Sequence, residues 1–527
     1  MDGKSIQDNE RDDSNTKNPM QILEDALTLC KFGKFHLRLL AASLCSVFAT
    51  MLVTTSTSYI LPVAECDLNM NMMYKGLLNA MPFLGQIGAS LFTGFLVDAF
   101  GRKLFLVGGN TGIFICTLIE GTSQTYWMLM IIKLVQGISL SLSFSAISTN
   151  ISEFCPIGIR DRVLLIYASF MSTGIIVAAL MAWMILPLKI NVVLFPGYLE
   201  LHAWNVYLYV CSIWSLLALL LYYYLPESPK FLLSHGQEKE ALDVLKYIYS
   251  ENSGNDKDSF PISSFSTSGT IKPTVEISLK KQLVNALIEV KELFRRPLIF
   301  KLLLFSFVTG AGLLTFSSLR LWFPQLSTMI ENYNKDHGET ARFCLMINDY
   351  MKDSVSQTIT TNITDLGTCI PKLSGSETYT NGIILGCVSL FFVGISGFLV
   401  DYLGQKLLMF IMLILTAICS ISLYWTNATI QIAILISATC GLLQTAISLQ
   451  QNIFIRVFPT TLRALALSII IMVGRIGSLS GNVLFPILLE MGCMAPFIVT
   501  AIISSCIAAL TYFLPNVNKE NKVTGDK

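Results

Sequence analysis

Charged residues are scarce in this chain. Asp, Glu, Lys and Arg together make up 13% of its 527 residues, whereas hydrophobic residues make up 53%. A soluble chain of this length would need a more charged surface to cover its cores, so the composition favours a protein that lies in lipid. The net charge of +1 provides no bulk attraction to a polyanion, and nucleic acid is therefore not expected as a partner.

The motifs of familiar catalytic sites are also missing. The 13 cysteines contain no CxxC pair and the four histidines are dispersed, so no metal site is predicted. The chain has no GxSxG, HExxH or GxxxxGK[ST] motif, which are the motifs of common hydrolases and phosphate-binding loops. We therefore predict no catalytic residues and no cofactor, and we do not expect an enzyme.

Long apolar runs dominate what is present. A helix that crosses a bilayer needs about 20 apolar residues, and twelve runs approach that length. The chain is therefore interpreted as an all-α polytopic membrane protein with twelve transmembrane helices. The first six predicted spans are Leu39–Ala64, Gly76–Val97, Leu104–Ile119, Tyr126–Ile151, Val163–Leu188 and Ala203–Leu225. The last six are Leu302–Leu319, Thr380–Val400, Leu407–Tyr424, Ala428–Ile455, Ala464–Leu489 and Met491–Leu514.

Lysine and arginine are concentrated in alternate loops, which the positive-inside rule assigns to the cytosol. The two halves are expected at residues 39–225 and 298–514. A cytosolic loop at 226–297 is expected between them, with a helical stretch on each side of a Ser/Gly-rich linker. Residues 1–38 and 515–527 are expected to be cytosolic terminal segments of a plasma-membrane or vesicle-membrane protein.

A predicted outer loop at residues 324–379 carries features that are typical of the non-cytosolic side. It contains the sequon NIT at Asn362, which predicts glycosylation of that residue. It also contains Cys344 and Cys369, which would suit a disulfide in an oxidising compartment. Spacing does not determine connectivity, so free thiols are the alternative to this pair.

One ten-residue phrase occurs twice in the chain. It reads GFLVDAFGRK at residues 94–103 and GFLVDYLGQK at residues 397–406, with Gln405 where the first copy has Arg102. Each copy lies between the second and third predicted spans of its half, so we expect two related six-helix halves. Parallel repeats of this kind are an architecture of transporters that bind solute between their halves.

The repeated phrase resembles the signature of the major facilitator superfamily. PESPKFL at residues 226–232 resembles a phrase of the sugar and organic-ion porters. The strongest resemblance is to the synaptic vesicle glycoprotein two family, particularly its insect relatives, through TSYILPVAECDL at 57–68 and FPTTLRALALSIIIMVGRIGSLSGN at 458–482. The resemblance implies the major facilitator fold and transport of a small organic solute by alternating access.

The same resemblance implies a latch that ties the two halves together on the cytosolic side. A carboxylate at Asp98 could accept hydrogen bonds from a neighbouring helix start or pair with Arg160 or Arg162. The alternative is that these charges only fix the topology of the loops. The predicted latch residues are Gly94, Asp98, Gly101, Arg102, Lys103, Glu153, Arg160, Asp401, Gly404 and Arg463.

Polar residues on the helices that line the cavity of this fold are candidates for solute contacts. Arg475 lies near the midplane of its span, where a charge is costly and defaults to function or pairing. Lys133 is a second charge within a span, and Glu120 is its candidate partner. Ordinary hydrogen bonding between helices is the alternative for each polar residue. The predicted cavity residues are Thr54, Thr55, Gln136, Gln444 and Arg475.

Two functions remain open at this stage. The first is transport of a small organic solute, with a weak preference for a neutral or anionic one because the charge near the midplane is positive. The second is a transporter-shaped binding partner on a vesicle or cell surface, which the weaker second copy of the repeated phrase favours. The first predicted span contains no acidic residue, so the sequence identifies no coupling ion.

Overall fold

The computed structural model describes residues 19–196, 199–265, 293–338, 340–351, 374–458 and 460–514. Within these ranges the architecture is two sets of six long helices. The first set is α2 (Lys34–Val63), α3 (Met72–Phe100), α4 (Arg102–Gly121), α5 (Tyr126–Phe154), α6 (Ile157–Ile185) and α7 (Ala203–Tyr224). The second set is α10 (Leu298–His337), α11 (Ser376–Leu403), α12 (Gln405–Ser422), α13 (Thr429–Val457), α14 (Thr460–Met491) and α15 (Ala495–Leu510).

These helices confirm the prediction of an all-α polytopic membrane protein. Eleven of the described helices are long and apolar enough to cross a bilayer, and α3 adds a twelfth of 29 residues. One small sheet is also described, an antiparallel hairpin of β1 (Asn191–Phe195) and β2 (Leu199–His202) between α6 and α7. This hairpin was not predicted from the sequence.

Three short helices gather at the end of the bundle where α2 begins. They are α1 (Pro19–Leu29), α8 (Pro229–Ser234) and α9 (Glu238–Ser253). Asn252 of α9 donates hydrogen bonds to the carbonyl oxygens of Cys30 (3.0 Å) and Lys31 (2.9 Å), and burial raises the pKa of the Cys30 thiol to about 12. We call this end of the bundle the N-terminal face and the other end the opposite face.

Helices α8 and α9 confirm the first helical stretch that was predicted in the central loop. The second stretch lies almost wholly outside the described residues, as do residues 1–18 of the predicted terminal segment. Helix α1 was not predicted.

Both copies of the repeated phrase end in the same backbone turn. Gly101 has a φ of +98° between α3 and α4, and Gly404 has a φ of +76° between α11 and α12. Positive φ is readily adopted by glycine and costly for other residues. A side chain at position 101 would also meet Glu227, whose Oε2 would lie 2.5 Å from an added Cβ. The duplicated turn supports two related halves.

The halves pack against each other toward the opposite face. Helix α3 contacts α14, α6 contacts α11, and α2 contacts α10. Gly382 of α11 lies against Tyr59 and Ala179 of the first half, where an added Cβ would collide with the Tyr59 hydroxyl group. The Tyr59 ring stacks on the Tyr379 ring at 6.1 Å between centroids. Close packing of this kind leaves no room between the halves at these positions.

The same helices separate toward the N-terminal face. Gly386 of α11 packs directly on Ile176 of α6. Gly397 lies eleven residues further on, which is three helical turns and therefore the same side of α11, yet an added Cβ there would meet nothing within 4 Å. Leu165, eleven residues before Ile176 on α6, is 66% exposed. The halves therefore form an interface that is closed at the opposite face and open toward the N-terminal face.

The start of the predicted outer loop at residue 324 is wrong. Helix α10 runs from Leu298 to His337 with Pro324 inside it, so the predicted span ending at Leu319 is too short. Proline is tolerated in such a helix because neighbouring helices and side-chain hydroxyls satisfy the freed backbone groups. Pro324 has no N–H group, so the carbonyl oxygen that it frees is that of Arg320, four residues earlier. The longer helix places Arg320 inside the bundle.

The predicted Cys344–Cys369 pair is also corrected. Cys344 forms a disulfide with Cys493, with 5.4 Å between the Cα atoms. The helical segment 343–351 packs over the turn between α14 and α15, because Phe343 contacts Phe497 at 5.4 Å between ring centroids, and this packing brings the two cysteines together. Cys369 and the predicted glycosylation site Asn362 lie outside the described residues.

Candidate functional site

Arg102 and Glu153 lie together at the N-terminal face of the first half. Their side chains form an ion pair of 2.9 Å, and both are largely buried. The guanidinium group of Arg102 also lies over the Phe231 ring of α8, 5.3 Å from its centroid. Both partners of this pair belong to the first half, so the pair does not bridge the two halves in this conformation.

The start of α4 is capped by a carboxylate that the sequence analysis did not select. The Glu227 side chain accepts hydrogen bonds from the backbone N–H groups of Arg102 (3.2 Å) and Lys103 (3.1 Å). A carboxylate at a helix start satisfies free N–H groups and complements the helix dipole. Glu227 belongs to the PESPKFL phrase, but the sequence predicted the capping role for Asp98. The side chains of Asp98 and Gly94 lie outside the described part.

Arg160 has a different partner from the one predicted. It forms an ion pair of 2.8 Å with Glu24 of α1 and donates to the Cys155 carbonyl oxygen at 3.0 Å. The prediction that paired it with Asp98 did not include α1, whose docking supplies the nearer carboxylate. Among the described side chains of the predicted latch, Arg102 therefore pairs with Glu153, and Arg160 pairs with Glu24.

The second copy of the phrase makes other contacts. Lys406 donates to the carbonyl oxygens of Tyr512 (2.8 Å) and Leu514 (2.7 Å), just beyond α15, where a cation complements free carbonyl groups. Asp401 is exposed, and its predicted partner Arg463 has a side chain outside the described part. The lysine of this copy therefore stabilises the end of the second half.

Arg320, near the middle of α10, connects the second half to the first half. Its guanidinium group donates to the hydroxyl groups of Thr55 (3.1 Å) and Thr54 (3.4 Å) and lies over the Phe316 ring at 5.7 Å. Arg320 is 8% exposed. Thr54 and Thr55 were predicted cavity residues, and the structure places both at the interface. Arg320 was missed because the predicted span ended at Leu319, although the apolar sequence resumes directly after it.

Arg475 of α14 also faces the other half. Its guanidinium group lies over the Phe144 ring of α5, 5.7 Å from the centroid, and it interacts electrostatically with Arg320. Arg475 and Gln444 are half-buried, and Gln444 Oε1 has no hydrogen-bond partner in the part of the chain that is described. The predicted midplane position of Arg475 therefore lies at the boundary between the halves.

Gln136 is not at this boundary. It donates to the Thr117 hydroxyl group at 2.8 Å and accepts from Lys133 at 3.3 Å. Lys133 in turn pairs with Glu120 at 2.9 Å, and both side chains are buried, which confirms the candidate pair. These residues lie inside the first half, beside a small gap in the packing that Thr117 and Gln136 help to line. Gln136 therefore belongs to the interior of that half rather than to the interface.

The opposite face is closed by polar contacts as well as by packing. Glu65, just after α2, pairs with Lys75 of α3 at 2.8 Å. Tyr350 of the second half donates to Glu65 at 3.5 Å. Burial, followed by the nearby charge of Glu65, raises the pKa of Tyr350, so its hydroxyl group stays protonated as a donor. This contact joins the two halves across the closed end.

Comparison with known proteins places this geometry among transporters. The family model described as "Sugar (and other) transporter" matches residues 31–318, and the one described as "Major Facilitator Superfamily" matches residues 340–527. The resemblance drawn from the repeated phrase is thus confirmed.

Curated relatives include synaptic vesicle glycoproteins. The chain is 25% identical to synaptic vesicle glycoprotein 2B of Rattus norvegicus over 319 residues, which cover 58% of this chain and 47% of the relative. It is 27% identical to synaptic vesicle glycoprotein 2A of Pongo abelii over 232 residues, which cover 44% of this chain and 31% of the relative. The matched part therefore spans about half or less of the length of these relatives.

Solved structures with the same fold include two of the xylose transporter XylE from E. coli. An inward open conformation matches with a TM-score of 0.61 at 15% identity, covering 92% of this chain and 97% of that chain. A partially occluded inward open conformation matches with a TM-score of 0.59 at 15% identity, covering 92% of this chain and 100% of that chain. At this identity the likeness establishes the fold alone.

Proposed function

Because the chain belongs to the Sugar (and other) transporter family, we propose that it moves a small organic solute across a membrane by alternating access. The observation that carries the proposal is the interface between the halves, which is packed at the opposite face and open toward the N-terminal face. An interface that is closed at one end only is one of the two states that such a cycle requires.

We assign the N-terminal face to the cytosol. Arg102, Lys103, Arg160 and Lys406 all lie at this end, and the positive-inside rule places such loops in the cytosol. Both described ends of the chain then lie on the cytosolic side, and the open end of the interface faces inward. The names of the synaptic vesicle relatives support a vesicle membrane, with the plasma membrane as the other site.

We assign solute contacts to the residues that meet between the halves. Thr54 and Thr55 come from the first half, and Arg320, Arg475 and Gln444 come from the second. The whole of α2 contains no Asp or Glu, so this helix offers no carboxylate for a coupling proton or cation.

We assign closure of the N-terminal face, in the alternate state, to the repeated phrase. Arg102 and Glu153 are already paired beside the turn at Gly101. Asp98, on the helix before that turn, could therefore reach a partner on the second half once the halves approach. Gly101 and Gly404 provide the sharp turns, and the residues that remain candidates for this latch are Gly94, Asp98, Lys103, Asp401 and Arg463.

A binding function without transport is the second candidate. Asp401 is exposed, and Gln405 stands where the first copy of the phrase has Arg102. Both features favour binding, because a latch that only the first half forms would weaken a transport cycle. The relatives are named as vesicle glycoproteins, and these names include no transported solute.

Solute uptake into proteoliposomes separates the two functions. The purified full chain is reconstituted and tested against a panel of sugars and organic ions, with protein-free liposomes as the background. The matched control is the Tyr59→Cys/Tyr379→Cys variant, cross-linked to hold the opposite face closed and then released with reductant. Uptake that stops on cross-linking and returns on release supports transport, whereas no uptake across the panel contradicts transport and favours binding.

A further inference from the structure

Among the described residues, two positive charges lie between the halves without a carboxylate beside them. Within the described part of the chain, the hydrogen bonds of Arg320 go to two threonine hydroxyl groups, and Arg475 contacts the Phe144 ring. The two guanidinium groups also interact electrostatically with each other. Hydroxyl groups and rings satisfy donors but do not neutralise charge, so this pair is costly within a membrane.

The register of α10 against α14 brings the two arginines to neighbouring levels. The hydroxyl groups of Ser317 and Ser478 hydrogen-bond at 2.7 Å, and both helices run away from the N-terminal face. Arg320 is three residues beyond Ser317, and Arg475 is three residues before Ser478. Six residues correspond to a rise of about 9 Å. Two extended arginine side chains whose residues are this far apart along the helix axes can contact the same small molecule.

Both arginines retain unused capacity to donate hydrogen bonds. A guanidinium group has five N–H donors, and Arg320 uses one on each Nη atom. Its buried Nε has no hydrogen-bond partner in the part of the chain described. The hydrogen bonds described for this part of the chain include none from Arg475. Carboxylates and similar planar acids match these donors in pairs.

The surroundings of the arginines suit an organic molecule rather than a bare ion. Phe316 lies against Arg320 and Phe144 lies against Arg475, each at 5.7 Å from ring centroid to guanidinium carbon. Both rings are half-buried. They offer apolar surface on both sides of the boundary between the halves.

We propose that Arg320 and Arg475 together bind the acidic group of a small organic anion between the two halves. The inference rests on the proposed transport function and gives its solute a chemical class. An acidic group between the two guanidinium groups attracts both of them and offsets the repulsion between them, so the anion stabilises the site that it occupies. Thr54 and Thr55 position Arg320 and connect it to the first half.

The hydrogen bonds from Arg320 to Thr54 and Thr55 also couple binding of the anion to movement of the two halves. These hydrogen bonds join α10 to α2 across the interface, and an anion that draws the guanidinium group toward Arg475 lengthens them. Occupancy of the site therefore weakens a bridge between the halves in this conformation. A ligand changes a conformational equilibrium only through such a difference between the two states.

Binding to the purified full chain tests the proposal. Benzoate, phthalate and succinate are titrated while the melting temperature is followed, with benzamide and xylose as uncharged probes. At least one carboxylate is expected to raise the melting temperature saturably, and benzamide is expected to have no effect. Arg320→Gln and Arg475→Gln are each expected to raise the Kd of that carboxylate about tenfold or more, because each removes charge-assisted hydrogen bonds.

Two further variants keep the test decisive. Arg475→Lys keeps the charge but loses the planar fork, and it is expected to bind more weakly than the native chain and more tightly than Arg475→Gln. Arg38→Gln, on the surface near α9, is the matched control and should leave the Kd unchanged. Binding by none of the three carboxylates, equal binding of benzamide, or a Kd unaffected by both glutamine variants overturns the proposal.

The outcome is separable from that of the transport proposal. Uptake of a neutral sugar without any carboxylate binding would support transport and overturn the anion site. Arginine-dependent carboxylate binding without uptake would support the anion site and contradict transport.

Discussion

Charged side chains within this bundle have two different kinds of surroundings. Lys133 is paired with Glu120 inside the first half, and further polar groups surround the pair. Arg320 and Arg475 lie at the boundary between the halves, where their described contacts are hydroxyl groups and aromatic rings. A neutralised pair within one half contributes to its structure, whereas charges held at a movable boundary are suited to a ligand.

The Glu120–Lys133 pair predicts a strong asymmetry between single and double substitutions. Glu120→Gln leaves a buried ammonium group without its carboxylate and is expected to cost about 3–5 kcal/mol of stability, because breaking one side of a buried pair leaves the other charge uncompensated. The double variant Glu120→Gln/Lys133→Met removes both charges and is expected to recover most of that loss. Melting temperatures of the purified variants measure the coupling, and additive losses would contradict it.

At the scale of elements, the sequence predicted the long helices well because a run of apolar residues is the dominant requirement of a bilayer. It failed where a boundary depended on tertiary contacts. The predicted span at Leu302–Leu319 stopped before a charge, yet α10 continues through Arg320 and Pro324, which are both buried within the bundle. Helix α1 was missed because its stability comes from docking against α9, which local sequence does not encode.

Contacts between distant elements were the least predictable features. The turn at Gly101 and the acid at Glu227 were both present in recognised phrases, but their contact depends on how α8 packs. Cys344 was assigned to a partner in its own loop, whereas the fold brings it to Cys493, which is 149 residues away. The spacing of cysteines along the chain does not indicate which of them are close together in the fold.

The disulfide predicts an unambiguous count of free thiols. In denatured, non-reduced protein, Cys493→Ser is expected to gain one thiol that accepts a mass tag, because Cys344 loses its partner. Cys440→Ser removes a thiol that is free in the structure and is expected to lose one tag. A loss of one tag in Cys493→Ser would show that Cys493 is free in the native chain and would contradict the bond.

At the scale of the whole molecule, the two halves are related but unequal. Each contains the glycine turn, but the first copy of the phrase has Arg102 paired with Glu153, whereas the second has Gln405 and uses Lys406 to stabilise the end of α15. We infer that closure of the N-terminal face depends mainly on the first half.

Substitution at Asp98 tests that dependence. Asp98→Asn is expected to weaken the closed form of the N-terminal face and therefore to increase thiol labelling of Leu165→Cys, a position that is exposed when the face is open. Asp401→Asn is the matched control in the second copy and is expected to have a smaller effect. Equal labelling in the native background and in Asp98→Asn would refute the role of Asp98 in the latch.

Paired distances across the two ends of the bundle test alternating access most directly. Spin labels at Leu165 and Phe398 report on the N-terminal face, and labels at Met73 and Ile487 report on the opposite face, after serine replaces the exposed Cys387 and Cys506. We predict two populations at each face, changing in opposite directions when a bound carboxylate is added, so that the N-terminal pair shortens as the opposite pair lengthens. A single fixed distance at both faces, with and without ligand, would contradict the account.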